Sequence, residues 1–235
     1  MAGRKFLQDC GKYVQNNIKS MWKGFKGENI IMDDVKVLYD FVEPETINNF
    51  DLITDQDVGG KSVATMNTSD NGRLLFKGDL STELDQGSNI DHSGFCGIRS
   101  KPVIGLFDKI ETVDMTYYDA VDIKYRGDGR CYFLNMQTES MMLLNQYDLF
   151  QAFLFTKGGP YWEVERVPFT KFLMTYQGYL QDEQVDFSNI RTLGVSISDK
   201  KSGPFGLEIE YMKLVKVGHQ PIIFKHQKYN RFENY

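Results

Sequence analysis

Four stretches of this chain alternate apolar and polar residues with a period of two. RLLFKGDL sets Leu74, Phe76, Gly78 and Leu80 against Arg73, Lys77 and Asp79, and DAVDIKYR sets Val121, Ile123 and Tyr125 against Asp122, Lys124 and Arg126. TLGVSIS aligns Leu193, Val195 and Ile197, while FGLEIEY aligns Phe205, Leu207, Ile209 and Tyr211 against Glu208 and Glu210. Successive side chains of a strand point to opposite faces, so the pattern predicts strands with one buried and one wet side. Gly, Asn, Asp and Pro separate the strand candidates, and no long helical period comes between them. That excludes βαβ units and predicts an all-β, antiparallel sandwich. With 235 residues, 41% of them hydrophobic, the chain can bury the core of one large β domain.

Three regions follow from the change of period: an extension over 1–36, the sandwich over 37–217 and an irregular tail over 218–235. Within the sandwich, Tyr179 to Phe187 is rich in Gln, Asp and Glu and reads as a loop. In the first 27 residues Arg4, Lys5, Lys12, Lys19, Lys23 and Lys26 are opposed by a single acid, Asp9. Leu7, Cys10, Val14, Ile18, Met21 and Phe25 recur at steps of three or four, the period of one apolar helix face. The prediction is a basic amphipathic helix, broken by Gly24 and Gly27. Three roles stand side by side: packing on the sandwich, docking on a membrane surface or a partner, or the end of a mitochondrial presequence. For docking, the candidate residues are Lys12, Lys19, Trp22, Lys23 and Phe25.

The net charge of -5 gives no global field to gather DNA or RNA, so nucleic acid is not an expected partner. No apolar run approaches the roughly 20 residues of a membrane-spanning helix. Cys10, Cys96 and Cys131 form no CxxC pair and no metal spacing, which fits buried thiols in a reducing compartment.

Several motifs invite chemical readings. DQDVGGKS ends like a phosphate loop, but Asp55 stands where such a loop needs its first glycine. The SVATMNTSDNG that follows reads as strand and hairpin, so Gly59 and Gly60 are assigned to a tight turn. The RGD at 126–128 lies between two alternating strands and reads as a hairpin, and the glycosylation pattern Asn67-Thr68-Ser69 is expected to go unused. His92, His219 and His226 have no metal spacing, and there is no GxSxG elbow. Glu163 and Glu165 share one strand face and read as solvated, with Trp162 and Val164 on the buried side. No catalytic, cofactor or metal residues are therefore assigned. Exposed rings of a sandwich also bind sugars, for which Tyr117, Tyr118, Tyr147, Tyr161 and Trp162 are the candidates, so a carbohydrate-binding module is the alternative function.

Five blocks in order, DQDVGGKS, RLLFKGDLST with GFCGIRS, YRGDGRCYFLNMQT, YWEVERVPFTKF and LGVSISDKKSGPFGLEIEYMKLV, resemble the mitochondrial complex I intermediate-associated protein family. The resemblance runs from about Phe50 to Val217. It implies a galactose-binding-domain-like jelly-roll sandwich without enzymatic activity or cofactor. It also implies a factor of the mitochondrial matrix, peripherally associated with the inner membrane, that assists assembly of respiratory complex I. The partners it implies are other assembly factors, including an acyl-CoA dehydrogenase paralogue and an adaptor protein, and membrane-arm intermediates. A chain with this pattern and no assigned reactive groups acts by affinity, through surfaces that rigid sheets present.

Overall fold

The computed structural model describes residues 32–83, 94–105, 110–138, 149–176, 179–181 and 185–218. The predicted N-terminal helix and most of the tail lie outside them. A compact unit begins at Asp34. Its strands are β1 (Val35–Asp40), β2 (Phe50–Thr54), β3 (Val63–Thr68), β4 (Leu74–Leu80), β5 (Cys96–Ser100), β6 (Val103–Ile104), β7 (Ile110–Glu111) and β8 (Ala120–Arg126). They continue with β9 (Cys131–Thr138), β10 (Leu149–Phe155), β11 (Glu163–Pro168), β12 (Leu173–Tyr176), β13 (Tyr179–Gln181), β14 (Ile190–Ile197) and β15 (Gly203–Val215). Among the described residues the helical turns are short 3-10 ones: Pro44–Asn49, Asp55–Val58 and Phe169–Lys171.

Two antiparallel sheets form the sandwich that the alternation predicts. One runs β11-β8-β15-β4-β3, and the other runs β13-β12-β10-β9-β14-β5-β2. β6 and β7 make a separate two-stranded ribbon. The 13-residue β15 organises the first sheet. Its Gly203–Ile209 half pairs with β4, its Tyr211–Val215 half pairs with β1, and β8 runs along its opposite side. Val35 pairs with Val215, so the chain enters and leaves the sandwich at one place.

One hydrophobic core fills the space between the sheets. Leu74, Phe76 and Leu80 of β4, Val121, Ile123 and Tyr125 of β8, and Leu207 and Ile209 of β15 meet Tyr132, Leu134 and Met136 of β9 and Val195 and Ile197 of β14. Each of these side chains is buried, worth about 1.5–3 kcal/mol of transfer free energy apiece.

Three local expectations are corrected. Tyr211 does not continue the inward row of β15. The register against β8 slips between Ile209 and Tyr211, leaving Glu210 as an extra residue, and the buried phase passes to Met212 and Leu214. Second, β11 has the opposite phase to the one expected. Val164 is 58% exposed, whereas Glu163 and Glu165 lean inward. Buried Val167, paired with Val121, fixes that phase, and Glu165 accepts the Tyr125 hydroxyl at 3.2 Å. Trp162 therefore lies half-buried beside Arg126 and Lys124 rather than in the core. Third, the stretch read as a loop begins with β13, which pairs with β12.

Candidate interaction surface

The outer face of the seven-stranded sheet carries an apolar stripe. Pairing puts Phe133 opposite Phe153, Gln151 opposite Asn135 and Leu173, and Leu180 opposite Thr175 one row further along. The apolar members therefore run diagonally over four strands, from Phe133, Phe153 and Phe155 to Leu173 and Leu180. Phe153 is 50% exposed, Phe155 65%, Leu173 45% and Leu180 66%. The rings hold one another: Phe133 and Phe153 lie 5.0 Å apart and tilted, and Phe153 and Phe155 stack at 5.6 Å.

Polar residues beside the stripe satisfy each other. Gln151 Nε2 donates to Asn135 Oδ1 at 3.1 Å, and Asn135 Nδ2 donates to Ser196 Oγ at 2.8 Å. The Thr175 hydroxyl lies 2.9 Å from Gln151 Oε1, and Gln137 Oε1 accepts the Thr192 hydroxyl at 3.1 Å. Covering a polar group costs about 1–3 kcal/mol when it is left without a partner, and these groups already have partners.

The outer face of the other sheet is charged. Glu210 receives Arg73 Nε at 3.1 Å and Lys124 Nζ at 2.9 Å. Burial pushes the Glu210 carboxyl up, but Lys124 and Arg73 outweigh it and hold it below the usual range. Glu208 pairs with Arg126, whose guanidinium lies 5.4 Å from the Trp162 ring centroid, within cation–π range. Next to them opens a cleft of about 610 Å³ whose lining includes Asn67, Asn71, Lys77, Arg126, Gly206 and Glu208. Gly206, one of the residues lining it, is bare backbone where an added Cβ would meet nothing within 4 Å.

The family profile described as complex I intermediate-associated protein 30 matches residues 39–209, most of this sandwich. The chain belongs to that family. It is 34% identical over 222 residues to the mitochondrial complex I intermediate-associated protein 30 of Drosophila melanogaster, covering 91% of this chain and 74% of that protein. Against the Mus musculus protein of the same description it is 31% identical over 188 residues, 79% of this chain and 57% of that one. It thus spans little more than half of the mouse relative. Among solved structures, the family 11 carbohydrate-binding module of a Clostridium thermocellum cellulosomal cellulase superposes with a TM-score of 0.53 at 16% identity, over 79% of this chain and 97% of that one. At that identity the likeness is one of fold.

In this chain, the motifs that suggested other chemistry serve the sandwich. In GGKS, Gly59 closes a 3-10 turn at φ 93°, and Gly60 lies so close to Asp55 that a Cβ would collide with its carboxylate. In RGD, Arg126 is held by Glu208. Asp128 accepts the Tyr132 hydroxyl at 3.1 Å and the Gly206 amide at 2.8 Å, and Gly127 has no room for a Cβ beside Thr156. Asn67 is exposed on the edge strand β3. Of the sugar-binding candidates, Tyr118 is buried, Tyr117 gives its hydroxyl to Asp34 at 3.1 Å, and Tyr161 is exposed. Among the described residues no group of three or more His, Cys, Asp or Glu could hold a metal, and no helix is long and apolar enough to cross a membrane. Lys12, Lys19, Trp22, Lys23 and Phe25 lie outside the described residues, as do Cys10, Tyr147 and all three histidines.

The apolar stripe is what sequence reasoning missed. LFQAFLF signals it: a strand with Phe150, Ala152 and Leu154 in one phase and Phe153 and Phe155 in the other has an apolar side to spare.

Proposed function

We propose that this chain is a non-catalytic assembly factor for mitochondrial respiratory complex I, binding other assembly factors and early membrane-arm intermediates. The observation that carries the reading is the family match over residues 39–209, the greater part of the sandwich. The geometry supports it through two large presented faces of opposite character, one apolar with satisfied amides and one ionic. Rigid antiparallel sheets suit such faces to recognition. The test is deletion of the gene followed by native gels of mitochondrial membranes. Complex I should fall selectively and membrane-arm intermediates accumulate; unchanged complex I would end the reading.

The same proposal places the factor in the matrix, at the surface of the inner membrane, with the basic segment 1–36 as its docking element. Lys12, Lys19 and Lys23 would face anionic lipid, each worth roughly 1 kcal/mol, with Trp22 and Phe25 entering the interface. Removing residues 1–27 should abolish co-sedimentation with cardiolipin-containing vesicles; undiminished co-sedimentation would refute the docking role.

One observation favours a second reading as a carbohydrate-binding module. The cleft over Gly206 has a neutral balance of Lys77, Arg126, Asp70 and Glu208 and carries the amides of Asn67 and Asn71, which suits a hydroxyl-rich ligand. Calorimetry with neutral oligosaccharides decides it: saturable heat abolished by Gly206→Trp supports the reading, and no heat excludes it.

A further inference from the structure

The stripe of Phe133, Phe153, Phe155, Leu173 and Leu180 has a definite length, a flat polar border and a charged rim. It crosses four strands, three spacings of about 4.8 Å, while stepping two same-face rows of about 6.8 Å along them, so its diagonal is about 20 Å. That is the length of roughly thirteen residues of α-helix. Two exposed lysines lie close in sequence to the apolar members of the stripe. Lys171 sits two residues before Leu173, in the turn that meets β10, and Lys157 follows Phe155 by two. Lys157 reaches Glu163 at 3.2 Å yet keeps its side chain 84% exposed.

We infer that this stripe seats an amphipathic helix of a partner protein, between three and four turns long, whose apolar side is bordered by acidic residues. The inference rests on the assembly-factor reading and names the surface that performs it. A second copy of this chain fits badly. A two-fold contact sets each patch against itself, so the second copy would offer Lys171 and Lys157 again rather than acidic residues to meet them. A helix rests its apolar ridge on the stripe and leaves the polar ladder of Asn135, Gln151 and Thr175 bonded to itself. Acidic residues flanking the ridge would meet Lys171 and Lys157.

The test uses the full chain in cells that lack it, with complex I intermediates resolved on native gels as the probe. Phe153→Ser/Phe155→Ser should lower the chain's co-migration with the intermediates at least tenfold. Val103→Ser/Ile104→Ser, on the separate ribbon, should leave it unchanged. Lys171→Glu should weaken co-migration several-fold and Lys171→Arg should not. Each purified variant is checked for an unchanged melting transition, so loss of fold is not mistaken for loss of contact. A photo-crosslinker at position 155 should mark a partner segment of helical apolar period flanked by Asp or Glu. Wild-type co-migration by the double variant, a crosslink joining two copies of this chain, or label only in lipid overturns the inference while leaving the assembly role intact. Failure of the wild-type chain itself to co-migrate ends both.

Discussion

The Asp55 carboxylate, fully buried, accepts the Ser62 amide at 2.9 Å and the Ser62 hydroxyl at 2.9 Å, closing the loop that contains Gly59, Gly60 and Lys61. The Gly94 amide joins the same carboxylate at 2.6 Å. A phosphate loop would aim its amides at a ligand; here Asp55 takes up the Ser62 and Gly94 amides. Asp55→Ala would leave those buried donors without acceptors, at about 1–3 kcal/mol each. Urea unfolding should show a loss of about 2–5 kcal/mol. Lys61→Ala, at the position of a phosphate-loop lysine, should change stability by less than about 0.5 kcal/mol, as for other surface changes.

Two glycines should answer substitution in opposite ways. An added Cβ at Gly127 collides with Thr156, whose hydroxyl also receives the Gly129 amide at 2.9 Å. Gly127→Ala should therefore cost about 1–3 kcal/mol, the usual range for overpacking. Gly206 is an ordinary strand position with open space above it. Gly206→Thr should be neutral or stabilising by a few tenths of a kcal/mol, because a β-branched residue suits a strand. Denaturation midpoints of the two variants should move apart.

The Arg130–Asp199 pair makes stability depend on pH. Arg130 Nη2 lies 2.6 Å from Asp199 Oδ1 and Nε lies 3.0 Å from Oδ2; both side chains are largely buried. Arg130 Nη1 also donates to the Gly203 and Pro204 carbonyls, pinning the start of β15. Burial pushes the Asp199 carboxyl up, but Arg130 and the Lys201 amide outweigh it, so it stays below the ordinary range when folded. The folded state thus binds this proton less readily than the unfolded chain does. The stabilisation is complete above the unfolded value, about 3.9, and is lost as pH falls through the lower folded value. Stability should decline below about pH 5. Arg130→Met should cost about 3–5 kcal/mol at pH 7, because it leaves a buried carboxylate alone, and should flatten the acid limb of the curve.

How far the fold could be read depended on which face each residue takes. Period-two runs such as Leu74-Phe76-Leu80 and Leu193-Val195-Ile197 name a core only strands can build, and it lies where they put it. Period does not supply phase. At β11, Val164 and the Trp162 that precedes the strand look more apolar than Glu163 and Glu165, yet buried Val167 decides which side faces in. Period also breaks at a bulge, so Glu210 turns Tyr211 outward with nothing local to announce it. The interaction stripe is harder still, because its members come from β9, β10, β12 and β13 and meet only through strand register. Phe153 and Phe155 were visible as surplus apolar residues; their company with Phe133, Leu173 and Leu180 was not.

Thiol chemistry offers an independent probe of the Asp55 corner. Cys96 is fully buried on β5, and burial, then the neighbouring Asp55 carboxylate, push its thiol up to about 12, with the Ser62 hydrogen bond pulling weakly the other way. At pH 8 only about one part in ten thousand would be the reactive thiolate, even if a reagent could reach it. Iodoacetamide at pH 8 should therefore leave Cys96 unmodified in the folded protein and label it rapidly in urea, as read by mass spectrometry of the Cys96 peptide. Asp55→Ala removes the nearby negative charge and loosens the loop over Ser62. Both changes favour the thiolate or its exposure, so Cys96 labelling should accelerate at a denaturant concentration that leaves the wild-type protein untouched. Equal labelling of the two proteins would mean that Asp55 neither guards this corner nor sets the reactivity of its thiol.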